Sequence, residues 1–217
     1  DMVKYTGNGV AGREIAHELG CDVGMIIVKR LDAVDGWVVW HKGAGEGNEL
    51  LLNSTASQAD YSAFNNPTTT NFELASGQTY VNGDTKEYIA YLFAHDPLGA
   101  SGDGSDSLIQ CGSYVGGGDV AVDVGFEPQW VLTKATGLAQ NWTIHDTMRG
   151  YTADATGQAT LHPNVSDAED TGIDAALTST GFRTINSSTG ETYIYMAIRR
   201  PMKTPLSSDE VFAIDTE

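Results

Sequence analysis

Positive charge, cysteine and long apolar runs are what this sequence has least of. Only 12 Lys and Arg stand against 29 Asp and Glu in 217 residues, a formal net charge of −17. A surface of that sign repels phosphate, which argues against nucleic-acid binding and against attraction to anionic membranes. No apolar run approaches the roughly 18 residues that read as a membrane-spanning helix, so no membrane insertion is expected. No signal-peptide pattern is present, and a chain that begins at Asp1 rather than Met reads as a piece of something longer.

Cys21 and Cys111 have no CxxC spacing; they read as two small buried thiols or as one disulfide, and spacing does not choose between them. The five histidines (His17, His41, His95, His145 and His162) form no HxH or HxxxH pair, so no zinc site is expected. No GxSxG elbow or Cys–His nucleophile pattern is present. Among 29 carboxylates some pair always suits a glycosidase, so their abundance carries no signal. No heptad stretch is available to drive trimerisation.

What the sequence does have is glycine, 25 residues of it, and an internal repeat. Ile15–Val39 matches Val120–Ile144 without a gap, 105 positions later: Ala16 falls on Ala121, Gly20 on Gly125, Lys29 on Lys134 and Trp37 on Trp142. The second copy settles what the first leaves ambiguous. Val120, Val122 and Val124 alternate with period two, a strand, so the inward positions of copy one are Ile15, His17 and Leu19. Met25–Val28 then reads as a buried strand and Trp37–Trp40 as a third.

Tyr5–Gly9 has a counterpart in Tyr114–Gly118, each an aromatic strand end followed by a turn. Leu50–Leu52, Thr68–Leu74 and Glu87–Ala94 read as strands, the last after an Asn82-Gly83-Asp84 hairpin turn. Ser187–Gly190 plays that part in copy two, and Thr192–Pro201 matches Tyr88–Pro97, with Tyr91 on Tyr195. Ser166–Asp170 reads as the cap of a helical turn. The expected division is a first half over 1–97, a linker and leading strand over 98–112, a second half over 113–203 and a C-terminal connector over 204–217. The expected fold is all-β, an antiparallel sandwich or jelly roll built from two duplicated halves.

Several positions invite a functional reading. Asp146 and Arg149 in DTMRG form either a polar binding pair or a salt bridge that pins the loop, with Gly150 in a tight turn. Trp37, Trp130 and Trp142 read as core or inter-sheet residues, whereas Trp40 and His41, beside the glycine-rich loop His41–Asn48, are the surface candidates. Trp40, His41, Asp146 and Arg149 are therefore the ligand-binding candidates. No catalytic residue, metal ligand or cofactor is singled out. Asp103–Asp106 lacks the terminal Glu of a calcium loop and reads as solvated linker. His17, on an inward position, reads as a hydrogen-bonded core histidine.

The order of these segments resembles a repeat domain of marine and cyanobacterial tailed bacteriophages. That domain runs roughly GNG, LGFxPxWVxIK, W, DxxRG, GF and a final YxA strand. Copy two carries GFEPQWVLTK at 125–134, DTMRG at 146–150, TGF at 180–182 and STGETYIYMA at 188–197. Copy one departs, with GCDVGMIIVK at 20–29 and WHKG at 40–43. The resemblance covers nearly the whole chain. It implies a concanavalin- or laminin-G-like β-sandwich in a virion, with no known active site. The expected function is that of a non-enzymatic structural protein of a tail fibre or similar appendage, displayed for host attachment. Its expected partners are other virion proteins and a host cell-surface glycan. A homo-oligomer is the expected assembly; fibres are usually trimeric, and the sequence itself does not give the number of copies. The readings that stand beside it are a capsid decoration protein, a depolymerase acting on host glycan and a lectin-like adhesion module.

Overall fold

The computed structural model describes residues 1–60, 63–96, 107–173 and 175–200. The chain is all-β. Its first half holds β1 (Met2–Thr6), β2 (Arg13–Ala16), β3 (Val23–Arg30), β4 (Trp37–His41), β5 (Leu50–Leu51), β6 (Asn71–Leu74) and β7 (Glu87–Ala94). Its second holds β8 (Ile109–Val115), β9 (Gly118–Asp123), β10 (Trp130–Ala135), β11 (Thr143–Asp146), β12 (Gln158–Thr160), β13 (Asp170–Ile173), β14 (Ala175–Thr178), β15 (Gly181–Ser187) and β16 (Thr192–Ile198). The helical pieces among the described residues are two 3-10 turns, Lys42–Ala44 and Thr147–Arg149.

The pairing order recurs. One sheet runs β1-β7-β3-β4-β5, and its counterpart runs β8-β16-β10-β11. Each half adds a smaller sheet, β2-β6 in the first and β9-β15-β14 in the second, while β12 and β13 pair separately. All of these pairings are antiparallel.

The four sheets stack as layers around three cores. The first core lies between β2-β6 and one face of the five-stranded sheet, with Ile15, Phe72 and Leu74 against Ile26, Val28 and Tyr88. The second lies between the two large sheets, with Met25, Ile27 and Val39 against Leu132, Trp142 and Met196. The third lies between the other face of the four-stranded sheet and β9-β15-β14, with Val131 and Ala197 against Val122, Leu177 and Phe182. Both large sheets are thus covered on both faces, and their central strands carry apolar side chains in both directions. In β7, Tyr88, Ala90 and Leu92 enter the first core while Tyr91 and Phe93 pack on the second. That explains why Met25–Val28 and EYIAYLFA are continuous apolar runs.

Matching contacts recur in the two halves. Lys29 Nζ donates to the Asp35 carbonyl at 2.7 Å, closing the β3–β4 turn, and Lys134 Nζ donates to the Leu138 carbonyl at 3.1 Å in the corresponding turn. The Trp37 amide donates to Asn53 Oδ1 and the Trp142 amide to Asn164 Oδ1, both at 2.9 Å. Tyr5, Tyr88 and Phe72 form a stacked and edge-on cluster, as do Tyr114, Tyr193 and Phe182.

Those contacts correct two register expectations. Tyr88 corresponds to Tyr193, because each stacks on the tyrosine of the first strand of its half at 5.2 Å; the matching of Tyr91 to Tyr195 is one residue out. Ile15 pairs with Phe72 and Val122 with Phe182, so Ile15 corresponds to Val122, two residues beyond Val120. A shift of two leaves the inward–outward alternation unchanged, so periodicity is blind to it.

Three local expectations also change. Asn82-Gly83 does not close a hairpin, because β6 and β7 belong to different sheets. Asn82 is instead fully buried, its side chain accepting from the Asn8 amide and donating to the Val10 and Ser76 carbonyls. Ser187–Gly190 likewise links two sheets. Ser166–Asp170 forms no helical turn; Asp170 opens β13, which finds backbone partners on β12. Cys21 and Cys111 are both free thiols. His17 is buried and hydrogen-bonded to the Thr68 carbonyl, as its inward position implied. The boundary at 97 and 98, Asp103–Asp106 and the connector at 204–217 lie outside the described residues.

The central core sits in a tight seam. A Cβ on Gly43 would lie 2.6 Å from the Gly112 carbonyl oxygen, and one on Gly24 would lie 2.5 Å from Cys111 Sγ. Trp142 Nε1 donates to the Leu51 carbonyl at 2.9 Å, and the Gln58 amide to the Thr136 carbonyl at 2.7 Å. We expect Gly43→Ala to cost about 1–3 kcal/mol, the usual range for overpacking, in urea unfolding. Gly117→Ala, with nothing within 4 Å of the added carbon, is the control and should stay within about 0.5 kcal/mol. Equal midpoints for the two variants would contradict the seam.

Candidate functional site

The four ligand-binding candidates do not form one site. Trp40 is 6% exposed and packs in the first core, which corrects its reading as a surface residue. It shares the inward face of β4 with Val38, and the chain turns away only after His41. His41 is buried as well, which corrects its surface reading. Its Nε2–H donates to the Tyr195 carbonyl at 3.0 Å, and Nδ1 accepts the Gly43 amide at 3.0 Å, capping the Lys42–Ala44 turn. Both ring nitrogens of a neutral imidazole are thereby used, and burial pulls its pKa down to about 4.

Asp146 occupies the corresponding place in the second half. It caps the Thr147–Arg149 turn by accepting the Arg149 amide at 3.0 Å, and it forms an ion pair with the Arg149 guanidinium. Gly150 follows with φ +100°. Of the two readings of DTMRG, the geometry matches the salt bridge that pins a loop.

An opening lies elsewhere, between the four-stranded sheet and β14-β15. It is a cleft of about 550 Å³. Strand register explains why the described residues at the corresponding place in the first half are packed shut. Val28 on β3 corresponds to Thr133 on β10, because each is two residues along from the residue, Ile26 or Val131, that pairs with Trp40 or His145. Val38 corresponds in the same way to Thr143, and Trp40 to His145. Leu74 corresponds to Thr184, each two residues beyond the phenylalanine of its aromatic cluster. Phe64, bridged to Leu74, corresponds to Ala175, paired with Thr184. All five first-half residues are buried in the first core, and all five counterparts line the cleft.

Connection length adds to the effect. In the first half, residues 75–86 join β6 to β7 and carry the buried Val81, whose carbonyl accepts from the Tyr5 hydroxyl at 2.7 Å. In the second half, only 188–191 join β15 to β16. Tyr5 is consequently 7% exposed, while its counterpart Tyr114 is half-buried and faces the cleft with Tyr193.

The described part of the cleft wall is polar. Among the described residues it contains no Asp, Glu, Lys or Arg. The Tyr193 hydroxyl donates toward Gln140 Oε1 at 3.4 Å, and Asn141 Oδ1 accepts from Asn164 at 2.8 Å. Thr160 donates its hydroxyl proton to the Gln158 carbonyl at 3.0 Å, so it must accept from His145 Nε2 at 3.1 Å, which leaves His145 Nδ1 an acceptor. Burial pulls the His145 pKa down to about 4, so the ring is neutral at pH 7. Lys134, behind the wall, donates to the Thr55 and Leu138 carbonyls, and burial pulls it down to about 8. A smaller cavity of about 390 Å³ sits beside Leu50, Leu51 and Tyr80, with the Glu49 carboxyl pushed up by burial to about 7. Among the described residues no three His, Cys, Asp or Glu side chains gather as a metal-binding group.

Sequence reasoning did not find this cleft. The signal was nevertheless in the repeat: the same 105-residue offset that aligns Trp37 with Trp142 sets Val38 against Thr143 and Trp40 against His145.

His41 generates a pH prediction. The unfolded imidazole takes up its proton near 6.5 and the folded one at about 4, so between these values the unfolded state binds more protons. Stability should therefore fall as pH drops from 6.5 to 4, by up to about 3 kcal/mol for this group. His41→Asn keeps a capping side chain and removes the titration. In urea unfolding across that range its stability should fall less steeply than that of the parent chain; an unchanged slope would refute the assignment.

Among known proteins, residues 1–201 match the family described as Domain of unknown function (DUF7483). No curated protein and no solved structure matches the chain. The match spans most of both halves, and the chain belongs to that family.

Proposed function

We propose that the chain is a non-enzymatic structural module of a tailed-bacteriophage virion, carried on a tail fibre or similar appendage and displayed for attachment to the host surface. The observation that carries the binding part of this reading is the cleft wall of hydroxyls, amides and aromatic rings, without a carboxylate among the described residues. Glycoside hydrolysis ordinarily uses two carboxyl groups flanking the scissile bond. A wall of this composition can hold a ligand, and its described residues offer no such pair.

The virion part is supported by the resemblance of DTMRG, GFEPQWVLTK and the final YIYMA strand to phage repeat domains. The layered fold fits this role mechanically. Strands covered on both faces and joined by a tight seam make a stiff body, and a stiff body displays its outer surfaces in fixed geometry. Weak individual sites repeated around an oligomeric appendage gain strength through multivalency.

The test is made on purified particles. Mass spectrometry should find this chain in the particle, and antibody raised against it should label the tail appendages and block adsorption. Label confined to the head would make the chain a capsid decoration protein instead. Its absence from particles would overturn the virion reading altogether.

A further inference from the structure

We propose that the cleft between β10-β11 and β14-β15 is a binding site for an uncharged saccharide. The inference deepens the attachment reading and rests on it in taking a surface glycan as the natural ligand.

The first argument is comparative and internal to the molecule. The two halves share strand order, register, aromatic cluster and turn pins, yet one outer core is sealed and the other is open. The opening is concentrated in one place. Trp40, Phe64 and Leu74 fill the first core, and at the corresponding positions His145, Ala175 and Thr184 line the cleft. Every one of these exchanges makes the side chain smaller, more polar or both. Random drift in a packed layer has no reason to remove bulk from three neighbouring positions and apolar character from two more. A cleft kept for a ligand does.

The second argument is chemical. Sugars present hydroxyl groups that both donate and accept, together with C–H faces that pack on aromatic rings. The wall supplies both complements: hydroxyls from Thr133 and Thr143, side-chain amides from Gln140 and Asn141, and the exposed part of the Tyr114–Tyr193 stack. Gln140 and Asn141 use their oxygens in contacts within the protein, and their amide nitrogens make no protein hydrogen bond among the described residues. An opening of about 550 Å³ falls within the roughly 300–1,000 Å³ of small-ligand sites.

The third argument fixes the charge. The described wall has no cation to pair with a carboxylate or sulfate and no carboxylate to pair with an amine. The chain's net charge of −17 adds a long-range field against anions. Uronic acids, sialic acids and sulfated sugars are therefore disfavoured twice.

The test uses the full chain in solution, with saturation-transfer NMR and calorimetric titration against D-glucose, D-galactose, D-mannose and N-acetyl-D-glucosamine. N-acetylneuraminic acid and D-glucuronic acid serve as charged comparators. At least one neutral sugar should bind, and more tightly than either acid. The decisive variant refills the cleft with the first half's own residues: Thr143→Val, His145→Trp and Ala175→Phe together. It should lose binding by about tenfold or more and melt no lower than the parent. If the triple variant does not fold, Gln140→Ala at an exposed position and Asn141→Ala replace it, and together they should weaken binding by a similar factor. Binding by none of the neutral sugars, preference for an acid, or unchanged binding in the folded refilled variant would overturn the proposal. Sugar binding by a chain that is absent from particles would overturn the attachment reading alone. A chain found on the tail that binds no sugar would do the reverse.

Discussion

Everything in this structure depends on two sheets packed back to back. Each large sheet carries apolar side chains on both faces, so each needs two covers. The small outer sheets supply one cover, and the other half of the chain supplies the second. Separating the halves would expose Met25, Ile27, Val39, Leu132 and Trp142 at once. At about 1.5–3 kcal/mol for each large side chain returned to water, that exposure is comparable to the whole net stability of a typical domain, about 5–15 kcal/mol. The two halves share a pairing order, yet a common core joins them.

The seam also decides where function can sit. Glycine at 43 lets backbone approach the Gly112 backbone, glycine at 24 leaves room for the Cys111 side chain, His41 spends both ring nitrogens across and along the seam, and Trp142 ties its indole to Leu51. Nothing there is left over for a ligand. The outer layers are the remaining place, and they differ. The first is sealed by Trp40, Phe64 and Val81; the second is not. Removing a large buried aromatic generally costs about 3–5 kcal/mol. A half that forgoes such packing while its sister keeps it gives up stability at one defined spot, which is the usual signature of a site held open for use.

Much of the architecture was legible in the sequence because it rests on periodicity. Alternation in Val120–Val124 exposed the strand hidden in copy one, and the apolar run Met25–Val28 announced a strand buried on both sides. What periodicity cannot supply is pairing partners. It missed the two-residue slip between Ile15 and Val122, and it read Asn82-Gly83 as a hairpin although the flanking strands leave for different sheets. Trp40 was misplaced for a related reason. Its neighbour is a glycine-rich loop, but its direction is set by Val38 two residues earlier, and Val38 points into the core. The cleft was legible only in comparison, as a set of differences between copies, because each polar residue alone is ordinary in a strand.

Charge completes the account of the cleft. A chain with 29 carboxylates keeps them, among its described residues, off the wall of this opening. Two described carboxylates near that region are engaged: Asp146 caps a turn and pairs with Arg149, and Glu191 accepts the Gly137 amide at 2.5 Å. Burial keeps His145 neutral at pH 7. Recognition then falls to hydrogen bonds and ring contacts, whose net worth per bond is small, about 0.5–1.5 kcal/mol. Such a site binds weakly by itself and discriminates by shape and by the repulsion of anions. Weak, uncharged and rigidly mounted is a poor specification for capturing a scarce metabolite. It is a good one for holding a dense, repeated surface ligand through many copies at once.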